Sequence, residues 1–206
     1  MSTIAIIDYG MSNLSSVIRA TRYVAPNDSV IVTSKPEEIN NADKIIFPGQ
    51  GAAKKCMESI VKQNLSKIIK KNSQEKPFLG ICMGMQILMD FSEENNGTNC
   101  LGIIEGKVRK FKREENIKLK IPHMGWNKVT QKNDHPIWYN IKNESYFYFV
   151  HSYFIEPMDK SYVIGETAYG NKFSSIIAKD NIVAIQCHPE KSSSTGLQFL
   201  KNFIEI

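Results

Sequence analysis

The sequence predicts an α/β protein built around an open, mostly parallel β-sheet, and two observations lead to this fold class. Apolar segments that suit strands buried on both faces alternate with helix-like segments up to about residue 95. Beyond that point, short alternating segments separated by Asn, Gly, Pro and Asp predict an antiparallel β extension of the same sheet. We therefore expect a single domain over residues 1–206, with the central sheet flanked by helices.

The first half of the chain supplies the parallel strands and most of the helices. Strands are predicted over 3–8, 30–32, 44–47 and 78–82. Helices are predicted over 13–24 and 53–72, as a short turn from Pro36, and after Cys82 as far as Phe91. Functional sites in such sheets collect at the carboxyl ends of the strands.

The second half is predicted to be mainly β-structure. Strand-like segments cover 101–108, 111–121, 126–129, 146–153, 162–167, 174–178 and 182–186. A closing helix is predicted over 193–204, with its apolar side chains facing inward.

Composition and charge exclude several classes of protein. Hydrophobic residues make up 42% and charged residues 23% of the chain, and no apolar segment approaches the roughly 20 residues that cross a bilayer. The amino terminus lacks a signal-peptide pattern, and the four cysteines are scattered, so a cytoplasmic location is expected, without structural zinc or disulfides. The densest basic segment, 107–113, alternates with apolar residues and favours a solvated strand over a nucleic-acid site.

The segment that carries the chemistry is Gly80-x-Cys82-x-Gly84, at the end of a predicted strand. Glycines on both sides of a cysteine at a strand-to-helix turn are typical of a nucleophile elbow. A helix amino terminus there would favour the thiolate. The alternative is a buried core cysteine between two incidental glycines.

A cysteine nucleophile needs a base, and His188 is the best candidate among the four histidines. It follows a strand and is joined through Pro189 to Glu190, which could accept one ring N–H. The alternative is a structural His-Pro turn with a surface glutamate. The remaining histidines are expected to be solvated at His135 and packed in the core at His123 and His151.

The glycine-rich segment after the third strand is a candidate oxyanion site. Gly49, Gln50 and Gly51 could direct backbone N–H groups at a developing oxyanion, together with the N–H of Met83. A plain strand-to-helix turn is the alternative. Gln86, one turn past the cysteine, could hydrogen-bond a substrate.

These parts predict acyl transfer from a small amide through a thioester, with no cofactor or metal. Either Glu93 or Glu94 could bind a cation at the end of the helix predicted after Cys82.

Two sets of residues resemble the class I, triad-type glutamine amidotransferases over nearly the whole chain. The first set comprises Gly80–Gln86 with Pro48–Gly51 and His188–Glu190. The second set resembles, within that class, the glutaminase subunits of imidazole glycerol phosphate synthase. It comprises 8–14 (DYGMSNL), 122–127 (PHMGWN) and 146–153 (YFYFVHSY). The resemblance implies the flavodoxin-like fold of that class.

The resemblance also implies roles for particular residues. Cys82 would attack the glutamine amide, His188 would transfer the protons and Glu190 would orient His188. Gln86, Glu94 and the Ser152–Tyr153 backbone would hold the amino-acid end of glutamine.

A (βα)8-barrel cyclase subunit is the implied partner in a heterodimer. The residues implied to face it are Asn13, Met124, Trp126 and Asn127. Ammonia would pass to that subunit for histidine biosynthesis.

One departure from the family pattern concerns Gln50, since the corresponding residue in the family is often valine. The polar side chain could alter how the oxyanion strand changes between inactive and active states. Two other functions stay open, a paralogous glutaminase that feeds a surface amino-sugar pathway and a binding-only member of the fold. A peptidase-like relative with the same cysteine elbow would not account for 122–127 and 146–153.

Overall fold

The computed structural model describes residues 1–11, 14–112 and 119–206. The helices are α1 (Leu14–Val24), α2 (Pro36–Asn41), α3 (Ala53–Lys62), α4 (Ser66–Glu75), α5 (Met83–Gln86) and α6 (Ser193–Glu205). The strands of the first half are β1 (Thr3–Ile7), β2 (Ser29–Thr33), β3 (Lys44–Gly49), β4 (Phe78–Cys82), β5 (Phe91–Ser92) and β6 (Thr98–Asn99). Those of the second half are β7 (Gly106–Lys110), β8 (His123–Gln131), β9 (Ser145–His151), β10 (Tyr153–Pro157), β11 (Val163–Tyr169), β12 (Asn171–Lys179) and β13 (Ile182–Ile185).

The predicted α/β fold class is confirmed by the topology. Strands β2, β1, β3, β4 and β13 lie side by side in parallel. β12 then pairs antiparallel with β13, β11 and β10, and begins the predicted antiparallel extension. β8 and β9 form an antiparallel pair that joins this extension through β11.

Alternating residues of the parallel strands bury two cores, one on each face of the sheet. Ile4 and Ile6 of β1 contribute to the core that α1 and α6 cover. Ala5 and Ile7 contribute to the core on the opposite face, with apolar residues of α2, α3 and α4. Burial on both faces accounts for the almost continuous apolar sequence of these strands.

The order of the strands brings distant segments of the chain together at one edge. Gly49 is the register partner of Cys82, and Ile185 is the register partner of Ile81. The residues that follow β3, β4 and β13 therefore meet at the carboxyl ends of the parallel strands.

The single helix predicted over 53–72 is wrong. The structure has two helices, α3 and α4, because Asn64 takes a left-handed conformation (φ 58°) and Leu65 bonds back to Ile60. Asparagine tolerates that conformation better than most residues, but nothing in an otherwise helical sequence requires it to adopt it here.

The helix predicted after Cys82 is much shorter than expected, since α5 ends at Gln86. The apolar residues directly after it are fully buried in an irregular segment, so core burial explains their pattern better than helical periodicity does. The strand predicted over 101–108 begins only at Gly106, and most of the one predicted over 111–121 lies outside the described residues.

Among the described residues, no helix is long and apolar enough to cross a membrane.

Candidate active site

Cys82 stands at a sharp turn between β4 and α5. Its backbone has φ 54° and ψ −109°, which is unfavourable for a residue with a side chain. Two glycines make the turn possible. A Cβ on Gly84 would collide with the Phe47 carbonyl oxygen, and one on Gly80 would lie 3.2 Å from the Gly84 carbonyl oxygen and from the Leu88 side chain. The sequence pattern around Cys82 is therefore explained by close backbone packing.

His188 and Glu190 lie beside Cys82 at the end of β13. The buried His188 ring donates from Nδ1 to Glu190 Oε1 at 2.7 Å. Its Nε2 is buried and has no hydrogen-bond partner among the described residues, so it is available for proton exchange with the sulfur. Although the segment after His188 is a 3-10 turn and not the extended chain expected from the sequence, the predicted His–Glu contact is made.

The backbone of His188 is also held in place. Its N–H donates to the Tyr148 carbonyl at 2.9 Å, and its carbonyl accepts from the Ser192 hydroxyl at 2.6 Å. The same hydroxyl accepts from the Tyr148 N–H at 2.9 Å. Strand β9 therefore fixes the position of the candidate base.

Negative charge near His188 outweighs the effect of burial. Burial lowers the pKa of His188, but ionised Cys82 and Glu190 together hold that pKa above its usual value of 6.5. The site therefore favours a protonated, positively charged His188 ring next to the Cys82 sulfur.

A cavity of about 440 Å³ opens onto Cys82 and His188. It contains most of the residues predicted for the site, together with several that the sequence did not indicate. The lining residues are Gln50, Gly51, Cys82, Met83, Gln86, Glu94, Pro122, Val150, His151, Ser152, Tyr153, His188 and Lys191.

Gln86 reaches this cavity from α5, and its amide is largely engaged inside the protein. Its Nε2 donates to the Tyr153 carbonyl at 3.0 Å and to Gln186 Oε1 at 2.9 Å. Its Oε1 is buried without a partner among the described residues. Gln186 is not among the site residues predicted from the sequence, although its place directly after β13 and two residues before His188 could have indicated it.

Glu94 also lines the cavity, but it does not lie at the end of a helix as expected. It follows β5, and its Oε2 accepts from the Ala53 N–H at 2.6 Å, at the start of α3. Carboxylates at helix amino termini are favoured by the helix dipole. Ser152 and Tyr153 also line the cavity, and the Ser152 carbonyl accepts from the Phe111 N–H.

The candidate oxyanion residues are not equally placed. Gln50, Gly51 and Met83 line the cavity, whereas Gly49 lies against the elbow, where its Cβ would come within 2.9 Å of the Gly84 nitrogen. The Gln50 N–H donates to the Met11 carbonyl at 3.0 Å. That donor is therefore occupied in the described conformation.

Three of the four candidate partner residues, Met124, Trp126 and Asn127, lie on β8. Met124 and Trp126 are exposed, by 62% and 51%. Asn127 points the other way, and its Nδ2 donates to the Ala168 carbonyl at 2.9 Å. Alternation along the strand places it on the opposite face of β8 from Met124 and Trp126. Asn13 lies outside the described residues.

The other histidines only partly match expectation. His123 and His151 are buried and contact each other, with Nδ1 of His123 2.9 Å from Nε2 of His151. His135 is half-buried and accepts from the Ile137 N–H at 3.1 Å, so it is solvated only in part. Within the described ranges, no cluster of His, Cys, Asp or Glu has the composition of a metal site.

Comparisons with known proteins agree with the geometry. The family model for "Glutamine amidotransferase class-I" matches residues 5–206, so the chain belongs to that family. It is 52% identical to the imidazole glycerol phosphate synthase subunit HisH of Hydrogenovibrio crunogenus, over 98% of this chain and 95% of that protein. The HisH of Nitrosococcus oceani is 47% identical, over 99% and 97%. Within the class, the chain belongs to the HisH family.

Solved structures show the same fold at low sequence identity. A protein from Thermoplasma acidophilum, described as part of a putative GMP synthase, has a TM-score of 0.73 at 19% identity, covering 100% of this chain and 93% of its own. A structure described as a glutamine amidotransferase has a TM-score of 0.74 at 13% identity, covering 98% and 97%. At these identities the likeness supports the fold alone.

Proposed function

We propose that this chain is the glutaminase subunit of an imidazole glycerol phosphate synthase, and that it hydrolyses glutamine to glutamate and ammonia. The observation that carries the proposal is the hydrogen bond of 2.7 Å between His188 and Glu190, next to a cysteine at a strained elbow. The cavity above them has room for one amino acid.

The first chemical step forms a thioester on Cys82. The sulfur attacks the side-chain amide carbon of glutamine, and the carbonyl oxygen becomes an oxyanion. His188 then donates the proton from Nε2 to the amide nitrogen, the C–N bond breaks, and ammonia leaves. Glu190 keeps the ring oriented by accepting from Nδ1.

The second step releases glutamate. Neutral His188 accepts a proton from water through Nε2, and the resulting hydroxide attacks the thioester carbon. The C–S bond breaks and the sulfur leaves as a thiolate, which restores the imidazolium–thiolate pair. A buried base with one nitrogen fixed by Glu190 performs both proton transfers without turning.

Glutamine itself fits the walls of the cavity. The carboxylate of Glu94 would attract its α-ammonium group, since only one Glu94 oxygen is engaged by Ala53. The buried Oε1 of Gln86 would accept an N–H from the substrate. Backbone groups of Ser152 and Tyr153 would complete the wall.

Oxyanion stabilisation would depend on a rearrangement. The Met83 N–H lies at the start of α5, but the Gln50 N–H donates to Met11 in the described conformation. The Gln50 peptide must release Met11 before it can serve as a donor. We therefore expect the isolated chain to have little activity until a partner changes this segment.

A (βα)8-barrel cyclase subunit is the proposed partner, and the β8–β9 hairpin is the proposed contact surface. Met124 and Trp126 on β8 face Val150 and Tyr148 on β9 across the pair. Val150 also lines the cavity, so a protein bound to this face would cover the cavity mouth. Covering it keeps ammonia from water, where it would be protonated and would no longer be nucleophilic.

The decisive experiment measures glutamate release under three conditions. These are the chain alone, the chain with a cyclase subunit, and that pair with the ribonucleotide substrate of the cyclase. Strong stimulation in the third condition is expected, and Cys82→Ala should abolish it. Cys100→Ala is the matched control, because this half-buried thiol contacts only the Thr98 carbonyl among the described hydrogen bonds. Glutamate release that survives Cys82→Ala would overturn the proposal.

A further inference from the structure

Gln186 lies fully buried between the candidate nucleophile and Gln86. Its Oε1 accepts from Gln86 Nε2 at 2.9 Å, and its Nε2 donates to Cys82 Sγ at 3.7 Å. Its backbone N–H donates to the Ser175 carbonyl at 2.8 Å, which fixes the residue on the sheet. Gln186 therefore connects a candidate substrate-binding residue to the reactive sulfur.

The direction of these hydrogen bonds is set by one backbone carbonyl. The Tyr153 carbonyl can only accept, so the group that faces it must be the NH2 of Gln86. The same NH2 then requires the oxygen of Gln186 on its other side. Gln186 must consequently present its own NH2 to Cys82, and a turned amide would place two acceptors or two donors against each other.

This arrangement has two consequences for the site. First, the sulfur receives an N–H donor, and hydrogen bonds to the charged form of an acid favour that form. Second, Gln86, which lines the cavity, is held with its buried Oε1 free of partners among the described residues. Both consequences follow from the length and the amide chemistry of Gln186.

We propose that Gln186 is a positioning residue. It holds Cys82 Sγ in the attacking position through its Nε2, and it orients the Gln86 amide towards glutamine through its Oε1. This inference rests on the proposed function, because it assigns Gln186 a part in the same glutaminase site. Gln186 itself is not among the residues that line the cavity.

Two substitutions separate these two contacts. Gln186→Glu keeps an acceptor for Gln86 but removes the N–H donor to sulfur. Gln186→Met has a similar length and removes both. Ser175→Ala is the matched control, because Ser175 is fully buried in the neighbouring strand and its hydroxyl bonds only to Thr167 among the described hydrogen bonds.

The readouts are the rate at which iodoacetamide alkylates Cys82, resolved by peptide mass spectrometry, and the kcat and KM for glutamine in the assembled complex. Alkylation should slow about tenfold in both Gln186 variants, the equivalent of one hydrogen bond to a charged group. KM should rise about tenfold in Gln186→Met and stay near the native value in Gln186→Glu. A merely structural role would not separate KM from alkylation in this way.

Native alkylation rates in folded Gln186→Met would overturn the inference. If that variant does not fold, Gln186→Glu decides, since alkylation at the native rate would show that the donor has no effect. Alkylation does not require glutamine hydrolysis. If Cys82→Ala kept its glutaminase activity, the proposed function would fail, while the alkylation contrast would still report on Gln186.

Discussion

Two buried histidine sites lie at the same cavity, which both His188 and His151 line, and their electrostatics are opposite. His188 donates to Glu190, and its pKa is held above the usual 6.5, so we call this the charged site. His123 and His151, the neutral pair, contact each other, and their pKa values are lowered to about 4 and about 3. Burial lowers the pKa at all three. The two sites differ in whether a negatively charged group lies close enough to outweigh the effect of burial on the pKa.

The neutral pair has a fixed arrangement of protons. The Tyr153 carbonyl accepts from His151 Nδ1 at 2.8 Å, so His151 Nε2 must be an acceptor. His123 therefore donates from Nδ1, and its Nε2 is left to accept from Asn127 Nδ2 at 3.3 Å. An added proton would place two N–H groups against each other. This pair therefore stays neutral and has a structural role, whereas His188 can transfer protons.

The largest expected effect is the loss of the charged site's base. His188→Asn should lower kcat for glutamine in the assembled complex by about 10⁴-fold, because neither proton transfer then has a carrier. His135→Asn is the control and should leave kcat unchanged, since His135 caps a 3-10 turn at Pro136 outside the cavity. A loss of less than tenfold in the His188 variant would remove the distinction between the two sites.

A smaller loss is expected when only the charge of the acceptor is removed. Glu190→Gln keeps an oxygen for His188 Nδ1 but removes the negative charge that helps to hold the pKa of His188 up. We expect kcat to fall about 10²-fold and the His188 resonance to titrate at lower pH. Steady-state kinetics and histidine NMR test both. Titration at an unchanged pH would show that Glu190 does not supply the difference between the sites.

Much of the charged site was predictable because its residues are local in sequence. Gly80-x-Cys82-x-Gly84 reflects close packing within one turn, and His188 and Glu190 are separated by a single proline. The family resemblance supplied the candidate glutamine-binding residues Gln86, Glu94, Ser152 and Tyr153. These signals do not depend on how distant strands pair.

The features that the sequence did not predict depend on long-range register. Gln186 meets Cys82 only because β13 lies beside β4. Local patterns do not carry such information.

The neutral pair should make the fold sensitive to acid. Folding lowers the pKa values of His123 and His151. Below pH 6.5 these histidines therefore bind protons in the unfolded chain but stay neutral in the folded chain. The stability that depends on this pair is therefore fully present well above pH 6.5 and is lost as the pH falls towards 4, by on the order of 3 kcal/mol for each histidine. The raised pKa of His188 acts in the opposite sense, since its contribution is present below pH 6.5 and is lost as the pH rises through that raised value.

Denaturant unfolding between pH 7 and pH 4 measures this loss. His123→Gln should reduce the pH dependence of the free energy of unfolding, because it removes one of the two histidines whose pKa is lowered by folding. His135→Gln should change it less, since His135 is half-buried and has no histidine partner among the described hydrogen bonds. If the free energy of unfolding of His123→Gln falls with pH as steeply as that of the native chain, carboxylates alone account for the loss of stability in acid.

The smallest expected effect comes from placing a negatively charged side chain next to the neutral pair. Asn127→Asp places a carboxylate where the Asn127 amide now lies, 3.3 Å from His123 Nε2. The new charge should raise the pKa of His123 from about 4 by about one unit, while the lost bond to Ala168 should cost about 1 kcal/mol of stability. Asn143→Asp, which changes an exposed side chain that accepts from the Gln131 N–H, is the matched control. A His123 resonance that still titrates near pH 4 in Asn127→Asp would mean that burial alone, and not the absence of a negative neighbour, separates this pair from His188.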